Sequence, residues 1–269
     1  MKTRKALKGM RLGLPWLSFW QWAPPVQLEQ LGDILDILKQ EGAIIVNGTE
    51  IPSRNLTIQE GGFWDWNMGV TLRGRANESE LTVVVVDFYN NIRDYLSELT
   101  NTPHKLLDDI IQYNFANDGS EGGTPGLAPP FSSGQDTFLL SLETKGNQNE
   151  TYFQALNFIH TQAREKGIDG ALHNIGHPVD VLLAPPDVGA SYQISAQAGY
   201  PVVTVRGGVD NTPEGSGMPF GLSILGTAWS EGKLITAASA IEDALDTRGI
   251  KRPLPEYRDY LTQIVPVPF

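Results

Sequence analysis

The apolar positions near the start of the chain follow a strand–helix–strand order. Residues 10–14 form a short apolar run that predicts a strand, and residues 26–40 carry apolar side chains at helical spacing. Gly42 ends this helix as its C-cap, and residues 43–46 predict a second strand. Because this order is the unit from which parallel sheets are built, the pattern predicts an α/β fold.

The middle of the chain is predicted to be helical, with two irregular stretches. Apolar residues recur on one helical face in four segments, at residues 78–99, 103–115, 136–142 and 150–166. Residues 47–76 are rich in turn residues and poorly periodic. Residues 117–130 are dense in glycine and proline, which predicts a loop.

The last third of the chain alternates short apolar runs with helices. Strands are predicted at residues 179–184, 201–205 and 219–225, helices at 191–198 and 230–246, and a proline-rich tail beyond them. Within the strands, the runs at 181–184, 202–205 and 220–225 are almost continuously apolar. Such runs are typical of strands that are covered on both faces.

Glycines bound the predicted strand at residues 201–205. Gly199 precedes the strand and the pair Gly207-Gly208 follows it, and we interpret both as tight turns. Arg206, Gly207 and Gly208 are also candidates for the wall of a substrate pocket. A packing role for this strand is the simpler interpretation.

The composition is that of a globular protein and narrows the set of partners. The 269 residues are 41% apolar and 19% charged. The net charge is −11, and five of the 20 basic residues lie within the first eleven positions, so the remainder is more acidic still. Such a surface repels phosphate backbones, which argues against a nucleic-acid partner. The chain has no cysteine, so disulfides, thiolate catalysis and cysteine zinc sites are excluded.

The sequence leaves the compartment open. Absence of cysteine suits a reducing compartment and favours the cytoplasm. However, a basic start followed by an apolar stretch at residues 12–23 imitates a secretory signal, although polar and proline residues interrupt it. The glycosylation motifs at Asn47, Asn55, Asn77 and Asn149 would matter only in a secreted protein. No apolar run is long enough to span a bilayer, so no membrane partner is predicted.

Two serine- and glycine-rich segments invite a catalytic interpretation. The segment Ser132-Ser133-Gly134 could form a nucleophile loop, but no adjacent base would activate a serine. A serine that caps the next helix is the better interpretation. Residues 119–124 are rich in glycine, but no strand precedes them and no Gly-Lys-Ser follows, which argues against a phosphate site.

The charged and histidine pairs also have simpler interpretations. His173 and His177 have the i, i+4 spacing of metal ligands, yet Gly176 and a following proline would break the helix, so a polar turn is predicted. The neighbouring acids Asp108 and Asp109 would face different ways on a helix, which predicts a solvated surface. We therefore predict no metal and no cofactor.

Several stretches, taken together, resemble the C-terminal part of the amidase signature family. They follow the order of that family along the chain, at residues 7–15, 133–136, 181–185, 198–205, 218–226 and 228–231, before an apolar helix. The resemblance extends from residue 7 to residue 255, is loose over 52–130, and leaves 256–269 as a tail. It implies that residues 1–269 are the C-terminal portion of one amidase-like domain, with a mixed, largely parallel and incomplete sheet flanked by helices.

The resemblance also implies what the chain does not carry. Members of the family hydrolyse carboxamides with a nucleophilic serine, a second serine in a cis peptide and a lysine, all in the N-terminal half upstream of the point that Leu7 matches. No residue of this chain can be carried over as catalytic, so we expect it to be inactive alone. In addition, Arg206 and Gly207-Gly208 stand where the family has proline and glycine, and the link from Pro185 to Gly199 is short.

Three interpretations of the resemblance stay open. The chain could be part of a truncated or split amidase, a non-catalytic amidase-like binding protein (a pseudoenzyme), or a component of an amidotransferase-like complex. The expected partner is an N-terminal amidase half or a second copy of the chain. A small amide is expected as substrate only in a complete protein. Open strand edges and apolar surface predict that the isolated chain is aggregation-prone, oligomeric or molten.

Overall fold

The computed structural model describes residues 4–64, 75–126, 133–174, 176–213, 215 and 217–250. These residues fall into two compact units. The first unit takes its described residues from 4–64 and 161–250, and it contains the sheet. The second unit takes its described residues from 75–160 and is helical.

The sheet of the first unit has five strands in the order β2-β1-β3-β5-β4. The strands are β1 (Arg11–Leu14), β2 (Ile44–Asn47), β3 (Val181–Ala184), β4 (Val202–Asp210) and β5 (Met218–Leu225). β1 pairs in parallel with β2 and β3, whereas β5 pairs antiparallel with both β3 and β4. Four strands therefore run in one direction and β5 runs in the other, which confirms a mixed, largely parallel sheet.

Ten α-helices are described. In chain order they are α1 (Pro25–Gln40), α2 (Arg54–Thr57), α3 (Glu80–Glu98), α4 (Leu107–Ala116), α5 (Asp118–Glu121), α6 (Asp136–Thr144), α7 (Glu150–Ala163), α8 (Asp169–Leu172), α9 (Gly189–Ala198) and α10 (Glu231–Thr247). Short 3-10 turns lie at Arg4–Leu7, Trp20–Trp22 and Ala76–Glu78. None of the helices in the described part of the chain is long and apolar enough to cross a membrane.

The core of the first unit lies against β3 and α10. All four residues of β3 are fully buried. The apolar stripe predicted for α10 is buried as well, at Leu234, Ala237, Ala238, Ile241 and Leu245. Because burial of one leucine or isoleucine side chain contributes about 1.5–3 kcal/mol, this layer is a principal source of stability.

The second unit has its own small core. This core is formed by α3 and α7, with the buried residues Leu81, Val83, Val85, Val86, Tyr152, Ala155 and Ile159. Phe88 of α3 stacks on Phe138 of α6, with 5.1 Å between ring centroids. The Asn90 side chain donates to the Gly146 carbonyl at 3.0 Å, which fixes the turn after α6.

The start of α4 and the loop after it differ from their predictions. α4 begins at Leu107 and not at Pro103, because the Asp109 carboxylate accepts the backbone N–H groups of Lys105 (2.7 Å) and Leu106 (2.9 Å) ahead of the helix. The loop predicted at 117–130 contains the short helix α5, and residues 127–130 lie outside the described residues.

The helix predicted at 150–166 is also longer and less regular than its pattern. α7 passes into a π-helical segment, Arg164–Ile168, in which Gly167 has non-helical backbone angles, and α8 follows it. Ser53 lies beside this segment: its hydroxyl donates to the Gln162 carbonyl (2.9 Å) and its N–H to the Lys166 carbonyl (2.8 Å). Ser53 thereby satisfies carbonyls that a regular helix would have paired internally.

Candidate functional site

A groove of about 440 Å³ lies where β3 ends and β5 begins. Its described lining residues are Asp187, Thr204, Val205, Arg206, Pro219, Phe220, Gly221 and Glu242. Asp187 follows the carboxyl end of β3, and Pro219 and Phe220 open β5, which runs in the opposite direction. In open α/β sheets, ligands bind at the carboxyl ends of the parallel strands, so this groove is the candidate functional site.

Close pairing of β4 and β5 forms one side of the groove. Gly221 lies opposite Arg206 in the antiparallel register, and a Cβ at Gly221 would overlap the Thr204 Cγ2 atom. A larger residue there would push Thr204 away from its neighbour Ser223, whose hydroxyl oxygen lies 3.1 Å from that of Thr204. Glycine at 221 therefore adds no side chain to this side of the groove.

Arg206 is the central charged group of the groove and is held by α10. Its side chain is only 11% exposed, and it forms ion pairs with Glu242 (3.4 Å) and Asp246 (2.5 Å). Its Nη2 atom also donates to the Glu242 carbonyl at 3.1 Å, and its backbone N–H donates to the Glu242 Oε1 atom at 3.1 Å. These contacts fix the guanidinium, and its Nε is the atom that faces the Glu242 carboxylate in the 3.4 Å ion pair.

The opposite wall is acidic and is held by α1. Gln27 of α1 is buried, and its Nε2 donates to Asp187 Oδ2 at 2.5 Å. The Gln27 Oε1 atom is buried without a hydrogen-bond partner in the part of the chain that the structure describes. The lining of the groove thus includes the carboxylates of Asp187 and Glu242, which accept, and the guanidinium of Arg206, which donates. Acceptors together with a donor are what the N–H and C=O of a carboxamide require.

Known proteins are similar to almost the whole length of the chain. No family model matches it. A protein of Schizosaccharomyces pombe that carries the name amidase is 40% identical over 273 residues, which cover 99% of this chain and 44% of that protein. The native peptide amidase from Stenotrophomonas maltophilia superposes with a TM-score of 0.69 and 28% identity, over 95% of this chain and 46% of the amidase.

Both similarities extend over almost the whole chain, and both are to proteins named amidase. A protein of Arabidopsis thaliana that is also named an amidase is 28% identical over 254 residues, 90% of this chain and 39% of its own length. The chain therefore spans less than half the length of the curated relatives it matches. The resemblance inferred from the sequence is confirmed, and the α/β fold is the fold of this amidase family.

The candidate wall residues after the strand at 201–205 have separate positions. Arg206 lines the groove, whereas Gly207 and Gly208 are not among its lining residues. Their interpretation as a tight turn is wrong, because both lie inside β4 at an irregularity between Arg206 and Gly208. A Cβ on Gly207 would lie 2.6 Å from the Gly221 carbonyl oxygen, so close approach of two strands requires glycine there.

Gly199 does form the predicted turn. It has a φ of 66° and ends α9 in the left-handed conformation, which glycine adopts without steric cost. The turn is followed by Tyr200, whose hydroxyl donates to Asp169 Oδ2 at 2.6 Å. Burial and this hydrogen bond raise the pKa of Tyr200 to about 12. Arg164 lies over the Tyr200 ring, 5.9 Å from its centroid. This cluster fixes the entry into β4.

The serine segment at residues 132–134 does not cap a helix. Ser132 lies outside the described residues, and Ser133 is exposed in the turn before α6. The N-cap of α6 is Gln135, without a side-chain cap, so the expectation of a serine cap is wrong. The reason is local: Asp136 Oδ1 accepts the Thr137 N–H at 2.7 Å and satisfies a free donor of the first turn.

The histidine pair and the acidic pair lie in separate parts of the chain. His173 is the C-cap of α8, with its Nδ1 2.8 Å from the Asp169 carbonyl oxygen, and His177 lies exposed in the next turn. Over the residues that the structure describes, no group of three or more histidine, aspartate or glutamate side chains could hold a metal. Asp109 caps α4, and the hydrogen bonds from Lys105 and Leu106 hold its pKa below the ordinary value.

Sequence reasoning missed most of the groove. The lining residues Asp187 and Glu242, and Gln27 that donates to Asp187, belong to no local motif and are far apart along the chain. The sheet order brings α1, β3 and α10 to one place, and no spacing within a short segment could have indicated it. The signal that did exist was the family order of the segments around β3, β4 and β5.

Proposed function

We propose that this chain is part of a hydrolase that cleaves the C–N bond of carboxamides, and that the groove binds part of the substrate. The observation that carries the proposal is the 40% identity to the S. pombe protein named amidase over 99% of the chain. The geometry adds a site at the expected edge of the sheet, with acceptors and a donor suited to an amide.

The reaction would follow the chemistry that the family resemblance implies. A serine attacks the amide carbonyl and forms an acyl-enzyme while ammonia or an amine leaves, and water then releases the acid and restores the serine. Backbone N–H groups would bind the oxyanion during both steps. Arg206, Asp187 and Glu242 would orient the substrate, because they line the groove and are held in place by other side chains.

We place the catalytic serine, cis-serine and lysine on the part of the family domain that these 269 residues do not span. That part could lie on the same polypeptide or on another one. The groove supports this division, because its described lining residues include no serine, lysine or histidine. The 269-residue chain by itself is then a binding scaffold without turnover.

An activity assay tests whether the catalytic residues lie outside this chain. The purified chain is incubated with a panel of aryl and alkyl amides, alone and together with the portion of the S. pombe relative outside the matched region. We expect no product from the chain alone and product from the mixture. Turnover by the chain alone that is abolished in Ser133→Ala would contradict the proposal, because it would place a nucleophile in the segment at 132–134.

A second assay tests the groove. In the active mixture, Asp187→Asn should raise KM several-fold with a smaller change in kcat, because it removes a charge that positions the amide without touching the bond that breaks. Lys39→Gln, on the exposed surface of α1, is the matched charge-removal control. Equal KM values for wild type and Asp187→Asn would exclude the groove as a substrate site.

A further inference from the structure

The turn after β2 contains an asparagine followed by glycine, Asn47-Gly48, that is open to solvent. Asn47 is the last residue of β2, and both residues are exposed. This is the only asparagine–glycine pair in the 269 residues. Such a pair is chemically special, because glycine has no Cβ to shield its own backbone nitrogen from the side chain of the preceding asparagine.

Neither group that would react is held by a hydrogen bond. Within the described residues, the Asn47 side-chain amide has no partner and the Gly48 N–H donates to no acceptor. The hydrogen bonds between β1 and β2 pass over Gly48, because the Leu14 carbonyl accepts the N–H of Thr49 at 3.2 Å. Gly48 has a φ of 73°, and a Cβ built on it would meet no atom within 4 Å. The two groups can therefore approach one another without giving up a hydrogen bond.

We propose that Asn47 is a site of spontaneous deamidation through a succinimide. The Gly48 nitrogen loses its proton and attacks the Asn47 Cγ atom, the bond from Cγ to the side-chain nitrogen breaks, and ammonia leaves. Water then opens the ring. Cleavage of the bond from the Gly48 nitrogen to Cγ gives aspartate, whereas cleavage of its bond to the backbone carbonyl carbon gives isoaspartate. Each product carries a new carboxylate, and water is the only co-reactant.

Isoaspartate at position 47 would disturb the loop after β1. Its peptide link runs through the side chain, so the backbone ahead of Gly48 gains one methylene group. Shortly after this point, the Glu50 carboxylate accepts the backbone N–H groups of Leu17 and Ser18, each at 2.9 Å, and the Ser18 hydroxyl at 2.7 Å. The longer backbone displaces Glu50 from these donors. Aspartate keeps the normal backbone length and leaves Glu50 in place.

Peptide mapping by mass spectrometry tests the site. The 269-residue chain is produced in bacteria, so that the glycosylation motif at Asn47 stays unmodified, and is incubated at mildly alkaline pH. Asn47 should deamidate at least about tenfold faster than Asn55, the matched control. Asn55 is also exposed, but the next residue, Leu56, has a Cβ, and its N–H donates to the Ser53 carbonyl at 2.8 Å. An isoaspartate methyltransferase with a labelled methyl donor measures the isoaspartate that forms.

The contribution of the fold is measured by repeating the incubation in urea. The end of a strand opens at little cost in free energy, so the rate at Asn47 in the folded chain should stay within about tenfold of the rate in the unfolded chain. Deamidation in urea together with an intact Asn47 in the folded chain would overturn the inference, because it would show that the fold protects the pair.

Two variants test the chemistry. Gly48→Ala places a methyl group beside the attacking nitrogen and should slow deamidation of Asn47 about tenfold or more. Because a φ of 73° strains an alanine, Asn47→Gln serves as the second variant. Its longer side chain would have to close a larger ring, so this chain should accept almost no methyl label. An unchanged rate in Gly48→Ala, or labelling of Asn47→Gln equal to that of the wild type, would place the reaction elsewhere.

Hydrogen exchange tests the effect on the loop. The isoaspartate fraction is separated by chromatography, and its Leu17 and Ser18 amides should exchange about tenfold faster than those of the fresh chain, because they lose their acceptor on Glu50. Asn47→Asp is the matched control: it carries the same new charge on a backbone of normal length and should exchange like the fresh chain. Equal exchange in the isoaspartate fraction and the fresh chain would contradict the displacement of Glu50.

Discussion

β3 and the first half of β4 are both rich in apolar residues, but they differ in how deeply they are buried. β3 reads Val-Leu-Leu-Ala and is buried at every position, between β1 on one side and β5 on the other. The segment 202–205 of β4 reads Val-Val-Thr-Val, and exposed residues alternate with partly or fully buried ones along it. β4 has β5 on one side only. Sheet position, and not local hydrophobicity, therefore decides how much of each strand is buried.

The exposure of β4 contradicts one prediction from the sequence. The sequence predicts cover on both faces for 202–205, but Val202 and Thr204 are exposed. An apolar run in an edge strand leaves apolar surface and unpaired backbone groups open to solvent. β3 thus has a strand neighbour on each side, whereas β4 has one within the described residues.

The largest effect is expected from truncation in β3. Leu182→Ala should lower the free energy of unfolding by about 2–5 kcal/mol, because the side chain is fully buried and the sheet leaves little room for relaxation. Val202→Ala in β4 is the matched truncation and should cost less than about 1 kcal/mol. Pulse proteolysis across a urea series measures both. Equal losses would mean that β4 is as enclosed as β3.

A smaller effect is expected where β4 and β5 approach closely. Gly207→Ala should cost about 1–3 kcal/mol, because its added methyl group would lie 2.6 Å from the Gly221 carbonyl oxygen. Gly232→Ala is the matched control: nothing lies within 4 Å of its added carbon, and it should stabilise α10 by up to about 1 kcal/mol. The same urea series applies. Tolerance of Gly207→Ala would indicate a flexible edge and would contradict the close pairing.

Tyr200, in the turn before β4, should make the stability of the chain depend on pH in the alkaline range. The pKa of Tyr200 is raised to about 12 from 10.0, so the neutral phenol is favoured in the folded chain. The stabilisation is complete below pH 10 and is lost as the pH rises towards 12. Tyr200→Phe should cost about 1–2 kcal/mol at neutral pH, because Asp169 loses its donor. It should also flatten the pH dependence above 10.

Thermal unfolding between pH 8 and pH 11.5 compares these two chains. Tyr192→Phe is the control, because Tyr192 is exposed on α9 and its removal should leave the alkaline loss intact. Parallel curves for wild type and Tyr200→Phe above pH 10 would show that Tyr200 is not the group that titrates.

The smallest effect on stability is expected at the open edge. Val202→Lys should change the free energy of unfolding by no more than about 0.5 kcal/mol, because the site is partly in water. It should nevertheless reduce self-association of the isolated chain, since an edge lysine opposes strand pairing between copies. Light scattering of both chains gives the result. Unchanged scattering would place the self-association surface elsewhere.

The sequence was sufficient for the strands and helices with a clear period. The order β1, α1, β2 and the buried stripe of α10 follow from apolar spacing alone. The ends of the elements depend on side-chain contacts that hydrophobic periodicity does not reveal. One example is the hydrogen bonds that Asp109 accepts ahead of α4. The irregularity at Gly207 could not be predicted, because a glycine pair is compatible with a turn and with close strand pairing. The groove joins Asp187 to Glu242, and only the folded sheet brings these two residues together.

The long separation between β1 and β3 has a kinetic consequence. The Arg11 N–H bonds to the Asp180 carboxylate across 169 positions, and Leu12 pairs with Val181 beside it. Contacts this distant along a chain slow folding, because a large loop must close first. The helical unit lies within that stretch of the sequence, and its contacts join residues closer along the chain than Arg11 and Asp180. We expect it to form early and to shorten the effective loop, so that the slow step is the meeting of the two halves of the sheet.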